Sequence, residues 1–581
     1  MKSYTWDGKD GNSWKYTISG YDTRAYYSYL PDFFIKHNLK ISDSTLPYVN
    51  VTDKGLFNKH FVGPAVLWSP FFIAAVEYLK LKNIHTDGYS GAPVKSIGIA
   101  ALLWLFIGLC CLWKILEFFN ISDIVISLTI LLITFGTNLF FYSFKEYTMT
   151  HVYSFSLLAV FIYTGIKYSN TQRKIYLILM SLSFGLNLLL RPTSICLFPC
   201  LLPLICGDYK KIIPTFFRPA TLLISISVIV PIVFLQFGAW YMQTGHWLVN
   251  AYSGENFYFL HPKIFKVFFS FQNGWFIYTP LALLSLFGFI KLYKINRTAF
   301  YSCSLAIAIW VYLVASWYAW SFADGFEHRA FIDIYPVLAI GTAHLFPSSK
   351  NGIYSLFSPL KKFFITSVLL LLSGLFVALN LIQTYQFSRH ILTTYWMDWN
   401  SYQYVFLKTS DKYIDCLGGQ KDLPLYTNKS PHIVFSSALN FAQPKSEWSI
   451  KHPENLNSRA VIHFEGDEFG ACVNIPSDSI SMKGGMYYAK IILTRFEPKG
   501  NCSSGVLLVY DAINNNHGYY TAFKINDYPS GKDSNTRTYY YGLEIPWVVH
   551  KNSNVSFYIW NKDRQDFYLT GLSVEVDRYF P

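Results

Sequence analysis

Four groups of ionisable side chains stand at the ends of long apolar stretches, where charge is costly unless it faces a cavity or a partner. In SGYDTRAYYSYLP (19–31), Asp22, Tyr26 and Tyr29 recur at i, i+4 and i+7. One face of a short helix would then present a carboxylate beside two phenols. Such a carboxylate can act as a general base, or it can simply cap the helix. SFKEYTMTHVYSF (143–155) gathers Lys145, Glu146 and His151 where one apolar stretch ends and the next begins. The plain alternative there is a solvated turn with a weak Lys–Glu pair. In LLLRPTS (188–194), Arg191 interrupts about 30 apolar residues. It either snorkels or holds a phosphate through its two-pronged guanidinium. SWYAWSFADGFEHRAFIDIYP (316–336) packs Asp324, Glu327, His328, Arg329 and Asp333 among aromatics, with Gly325 allowing a tight turn. So many charges beside two apolar stretches point to function.

The elements that must position these groups are membrane helices. Of 581 residues, 52% are hydrophobic and only 14% charged, against about 25% charged in a soluble protein. The deficit falls between residues 62 and 384. Apolar stretches near 62–80, 96–117, 122–142, 150–167, 175–190, 192–206, 219–238, 276–293, 299–318, 331–346 and 364–384 are candidate spans. Several are short, and Pro192, Pro199 and Pro336 mark broken segments that protein or a cavity must cover. Either 62–80 lies in the interface or re-enters, or 175–206 crosses once as a bent helix. Residues 1–61 hold no apolar run of signal-peptide type, which leaves open a membrane helix before Met1.

The net charge of +13 comes with no nucleic-acid motif, so no nucleic-acid partner is expected. Much of it lies in the short loops Lys167–Lys174, Lys210–Arg218, Lys291–Arg297 and Lys350–Lys362. Basic short loops mark the cytoplasmic side. Loop 319–330 and everything after 385 are therefore expected outside.

After Thr384 the pattern changes. Residues 385–445 read as a connection. From 446 to 581, NVSFYIWNK (554–562), FYLTGLSVEV (567–576) and similar runs alternate like strands between Gly, Asn, Asp and Ser turns. Roughly eight such runs predict an antiparallel sandwich or jelly roll. Trp448, Trp547, Trp560 and Tyr539–Tyr541 are candidates to stack on sugars, or else fill the core. Nine cysteines show no metal-type spacing; one disulfide, Cys472 to Cys502, is a candidate.

In their order along the chain, these features resemble the GT-C membrane glycosyltransferases, including the polyprenyl-phosphate-sugar-dependent protein mannosyltransferase and lipid A aminoarabinose transferase branches. The resemblance runs from Asp22 and its tyrosines through FVGPAVLWSPFF (61–72), THVYSF (150–155) and Arg191-Pro192. It continues with YSGENFYFLHP (252–262), FSFQNGWFIYTP (269–280) and the loop from Trp317 to Arg329. Two departures stand out: no membrane helix precedes the acidic loop, and no second acid adjoins Asp22.

Separately, the extracytoplasmic all-β domain resembles carbohydrate-binding sandwiches, notably in SFYIWNKDRQDFYLTGLSVE (556–575). The GT-C resemblance, which covers roughly residues 15–385, implies a polytopic helical protein of about 10–12 membrane helices, with an outer-face segment 1–61 carrying short interfacial helices and a helical domain 62–384. It implies transfer of a sugar from a polyprenyl-phosphate donor to a glycan, lipid or protein acceptor of the cell envelope. Asp22 would be the base, with Glu146 and Asp324 as further catalytic candidates. Arg191, Arg329, His328 and Lys145 would bind the donor phosphate, and Tyr26, His151, Glu255 and Glu327 the substrates. No cofactor beyond the lipid-linked donor is expected, and dependence on a divalent metal is left open; neither an Asp-x-Asp triplet nor a G-x-G-x-x-G turn of a nucleotide-sugar site is present. A transporter of lipid-linked glycans, or a non-catalytic anchor for a sugar-binding module, would share the same composition. Internal repeats of the transporter kind are not seen.

Overall fold

Runs of about 20 apolar residues have to satisfy their backbone internally in lipid, and the helix does so. Among the described residues, five helices are long and apolar enough to cross a bilayer: Gly63–Leu81, Gly91–Phe118, Pro219–Thr244, Arg297–Ser316 and Pro359–Ser388. The chain is therefore an integral membrane protein with several crossings. The computed structural model describes residues 21–41, 48–52, 55–252, 255–322, 325–347, 358–389, 391–394, 397, 399–410, 432–446, 448–451, 453–456, 458–476, 486–496, 505–513, 516–525, 536–545, 554–561, 564 and 566–579. The chain divides into two units, the first ending at Tyr385 and the second beginning at Gln386.

In the first unit, other apolar stretches form shorter or broken elements. The stretch 122–142 is split into Asp123–Phe135 and Leu139–Phe144. Arg191 ends the helix Lys174–Leu190 because the residue before a proline is pushed out of helical geometry; its φ and ψ are −150° and 98°. The chain then runs through 3-10 turns to Cys206, and Pro192–Cys206 bends by 106° against Tyr209–Phe216. Taken as one span, that pair makes six. The stretch 331–346 forms a 3-10 turn, Arg329–Ile334, and then the helix Tyr335–Leu345, buried at every residue. A helix that is apolar all round belongs inside a bundle. Pro219–Thr244 and Pro359–Ser388, by contrast, have only 11% of their apolar windows buried and turn side chains such as Leu223, Phe234 and Leu371 outward, as lipid-facing helices must.

Close helix contact needs small residues. A Cβ at Gly288, in the helix Pro280–Ile295, would collide with the carbonyl oxygen of Gly341 in the central helix. Nothing stands within 4 Å of a Cβ at Gly374. Gly288→Leu should therefore abolish the monodisperse peak on size-exclusion chromatography in detergent, and Gly374→Leu should leave it intact.

Before the first span, the segment 1–61 supplies the helix Tyr21–Phe34 and, unforeseen from sequence, a hairpin of Val49–Thr52 with Gly55–Asn58. Asn58 ties the two together, since its Nδ2 donates to the Ala25 carbonyl at 2.8 Å.

The second unit is a sandwich of two antiparallel sheets, built as the alternation predicts. One sheet runs Asn516–Ile525, Gly505–Ile513, Asn554–Trp560, Phe469–Pro476, Trp448–Ile450. The other runs Thr536–Ile545, Met486–Phe496, Asp566–Tyr579, Arg459–Glu465, Pro453–Leu456. His432–Ala438 also pairs with Asp566–Tyr579, so the sandwich reaches back into the segment read as a connection. Val473, Ile475, Val555 and Phe557 of the first sheet meet Ile462, Phe464, Ile491, Leu493, Leu569 and Val574 of the second in one core. Trp448 belongs to that core and donates its indole N–H to Ser437 Oγ at 2.8 Å. It is a packing residue and not a platform for sugars. Trp547, the side chains of Trp560 and Tyr539–Tyr541, and Cys502 of the candidate disulfide lie outside the described residues. Cys472 Sγ lies 3.6 Å from Asn474 Oδ1.

Candidate functional site

A cavity of about 490 Å³ opens in the helical unit where irregular segments meet the ends of membrane helices. Asp22 reaches it from the first turn of Tyr21–Phe34, an end whose dipole favours a carboxylate. Arg191 reaches it because Pro192 stops the preceding helix there, at the end that favours a cation. His151 opens its own helix, and Arg329 follows two residues held at positive φ, Phe322 (56°) and Glu327 (53°). Gly325 is required in that loop, since a Cβ there would meet the Tyr142 hydroxyl at 2.9 Å and Arg329 Cδ at 3.1 Å.

The charges form two linked groups. Asp22 Oδ2 faces Arg329 Nη2 at 3.4 Å, and Asp22 Oδ1 faces His60 Nε2 at 3.7 Å. Asp333, 1% exposed, accepts from Arg191 Nη1 at 2.6 Å through Oδ2, and its Oδ1 meets His151 Nδ1 at 3.2 Å. The Phe322 ring lies between the guanidiniums, 5.9 Å from Arg191 and 5.8 Å from Arg329. Across the cavity Lys59 pairs with Glu255 and lies over the Tyr252 ring at 5.5 Å. Burial works against the Asp22 charge, but His60 beside it and the positive field of Arg329, Lys59 and Arg191 outweigh it and hold the carboxyl below the usual value. Asp22 is thus ionised at neutral pH.

Six residues singled out in the sequence line this one cavity: Asp22, Tyr26, His151, Arg191, Glu255 and Arg329. Arg191 and Arg329 converge there although 138 positions separate them in the chain. The others lie elsewhere. Lys145 is exposed at the end of Leu139–Phe144. Glu146 is half-buried outside the lining, near enough to Arg329 to act on its charge. Glu327 is fully buried and accepts from Thr279 Oγ1 at 2.6 Å and from Asn380 Nδ2. Burial raises its pKa to about 8 against those two hydrogen bonds, so it anchors the loop as a largely neutral acid. His328 is buried against Phe322 and Phe331, at 5.5 and 4.8 Å. Burial, with Arg329 beside it, lowers its pKa to about 3; it brings no cation to the cavity. Asp324 lies outside the described residues.

Sequence reasoning did not single out Lys59 or His60, and it named Asp333 within the 316–336 cluster without giving it a role. Asp333 carried a usable signal, because a carboxylate inside an aromatic run ahead of a buried helix needs a cationic partner. Lys59 and His60 directly precede the FVGP run, but nothing local shows that they turn toward Asp22. Among the described residues no group of three or more His, Cys, Asp or Glu side chains converges as metal ligands do.

No family profile and no curated protein matches the chain. Among solved structures, the arabinosyltransferase EmbB from Mycobacterium smegmatis, determined by single-particle cryo-EM, is similar over 98% of this chain and 63% of its own, at 10% identity and a TM-score of 0.36. The chain spans less than two thirds of that protein's length.

Proposed function

We propose that the chain is a GT-C type membrane glycosyltransferase that moves a sugar from a polyprenyl-phosphate donor to a hydroxyl of a cell-envelope glycan, lipid or protein, on the non-cytoplasmic face. The observation that carries this reading is an ionised carboxylate, Asp22, set in one cavity with Arg329 and Arg191 beside membrane helices. Glycosyl transfer from a phosphodiester has two charge problems, and the cavity offers a group for each. The acceptor oxygen must lose its proton as it bonds to the anomeric carbon, and Asp22 takes that proton. The bond from that carbon to the phosphate oxygen breaks with its electron pair on the phosphate, which gains a negative charge. Arg191 and Arg329 stabilise that charge, and the side chain of Asp333 holds Arg191 in place. On its own resemblance to carbohydrate-binding sandwiches, the β domain is a candidate sugar-binding module.

The test uses purified protein in vesicles, a radiolabelled polyprenyl-phosphate sugar, and an envelope fraction from cells lacking the gene as acceptor. Label should join the envelope fraction. Label that crosses the bilayer without joining an acceptor would make the chain a transporter, and no movement at all would make it an anchor. For orientation, a cysteine at the exposed Glu465 should be labelled from outside intact cells; labelling only after permeabilisation sinks the outward assignment.

Arg329 is one of the cations that keep the Asp22 carboxyl below its usual value. Arg329→Gln should therefore move the acid limb of the transfer profile upward, toward ordinary carboxylate pH. The sign follows from the charge: without the guanidinium, Asp22 gains its proton at higher pH and the base is lost earlier as pH falls. An unmoved acid limb in a variant with residual activity would uncouple Arg329 from Asp22.

A further inference from the structure

The two oxygens of Asp22 have different neighbours. Oδ2 is turned to Arg329, while Oδ1 is turned to His60 Nε2 at 3.7 Å, which is beyond hydrogen-bond range. His60 Nε2 is buried with no hydrogen-bond partner, and its side chain is only 8% exposed. A buried polar atom left in that state is costly and calls for an explanation.

The ring is held there firmly. Asn58 Oδ1 accepts from the His60 backbone N–H at 2.9 Å, and the Tyr29 hydroxyl donates to its carbonyl at 2.8 Å. Tyr26 meets the ring edge-on at 5.1 Å between centroids. His60 lines the cavity together with Asp22, and its Nε2 is turned toward the Asp22 carboxylate.

Two polar atoms 3.7 Å apart can both reach a single oxygen at about 2.8–3.0 Å. We infer that His60 Nε2 and Asp22 Oδ1 together form the seat of the acceptor, an alcohol whose hydroxyl donates to the carboxylate and accepts from the imidazole N–H. This rests on the transferase reading and adds to it the acceptor's position, on the side of Asp22 away from Arg329. Burial, with Lys59 and Arg329 nearby and against the pull of Asp22, lowers the His60 pKa to about 4. The ring is thus neutral at physiological pH, with one N–H to give. A hydroxyl suits the seat because it donates and accepts at once. An ammonium cannot accept from the imidazole and would meet the field of Lys59 and Arg329. In the reaction the hydroxyl proton passes to Asp22 Oδ1, the oxygen bonds to the anomeric carbon, and His60 keeps its own proton throughout.

His60→Gln keeps an N–H donor at similar reach, and His60→Leu fills the space without one. With the radiolabelled donor and the envelope fraction, the Leu variant should lose about 10- to 100-fold in kcat/KM for the acceptor. Half-saturation by the donor should be unchanged, and Gln should restore most of the loss. Equal losses in both variants, or wild-type turnover in the Leu variant, overturns the inference. Absence of transfer by the wild-type protein in the same assay removes the transferase reading and this inference with it, an outcome distinct from the others.

Discussion

Asp22→Asn should fold normally and lose sugar transfer by about 10²–10⁴-fold, the usual worth of a positioned base. Asn matches Asp in size, still accepts hydrogen bonds and suits the first turn of a helix, so little of the packing around Tyr21–Phe34 should change. What it cannot do is take the acceptor's proton. The structure also bears on the capping alternative. The Asp22 side chain stands in the first turn of the helix Tyr21–Phe34 and is turned to Arg329 and His60. A role limited to capping predicts that Asp22→Ala lowers yield at unchanged specific activity. Purified Asp22→Asn protein with near-normal transfer would remove Asp22 from the mechanism.

The largest stability effect should come from Asp333→Ala. Asp333 is 1% exposed and joins Arg191, 19% exposed, to His151, 1% exposed. Removing one partner of a buried ion pair strands the other, at about 3–5 kcal/mol. That is a large share of the roughly 5–15 kcal/mol that holds a folded protein together. Thermal unfolding in detergent should show a markedly lower midpoint and a poor folded yield. Asp333→Asn keeps an acceptor toward Arg191 and should cost less. If Asp333→Ala unfolds at the wild-type temperature, the Arg191–Asp333–His151 chain does not contribute to stability as its geometry requires. Catalysis provides a separate reading of the same residue. Any Asp333→Asn protein that folds should bind donor more weakly, because its Arg191 guanidinium is less firmly held.

Much of this molecule was legible because regular elements repeat. Runs of about 20 apolar residues can only be helices in lipid, and period-two alternation can only present one face of a strand to a core. The helices at Gly91–Phe118 and Arg297–Ser316 and the final strands of the sandwich therefore follow from the sequence alone, whereas the pattern at 62–80 leaves open a crossing or an interfacial segment. So does the suspicion attached to Asp22, Arg191 and Arg329, since charges beside such runs need a reason. Direction inside irregular segments did not follow. In the 317–334 loop, residues at positive φ break any period, so Arg329 faces the cavity while its neighbours Glu327 and His328 face the protein interior. Even within a strand, alternation left Trp448 undecided between core and surface until the second sheet was in place. The partnerships were hidden for a further reason. Asp333 meets Arg191 across 142 positions and Arg329 meets Asp22 across 307, and no local pattern encodes a contact that the packing of separate helices creates.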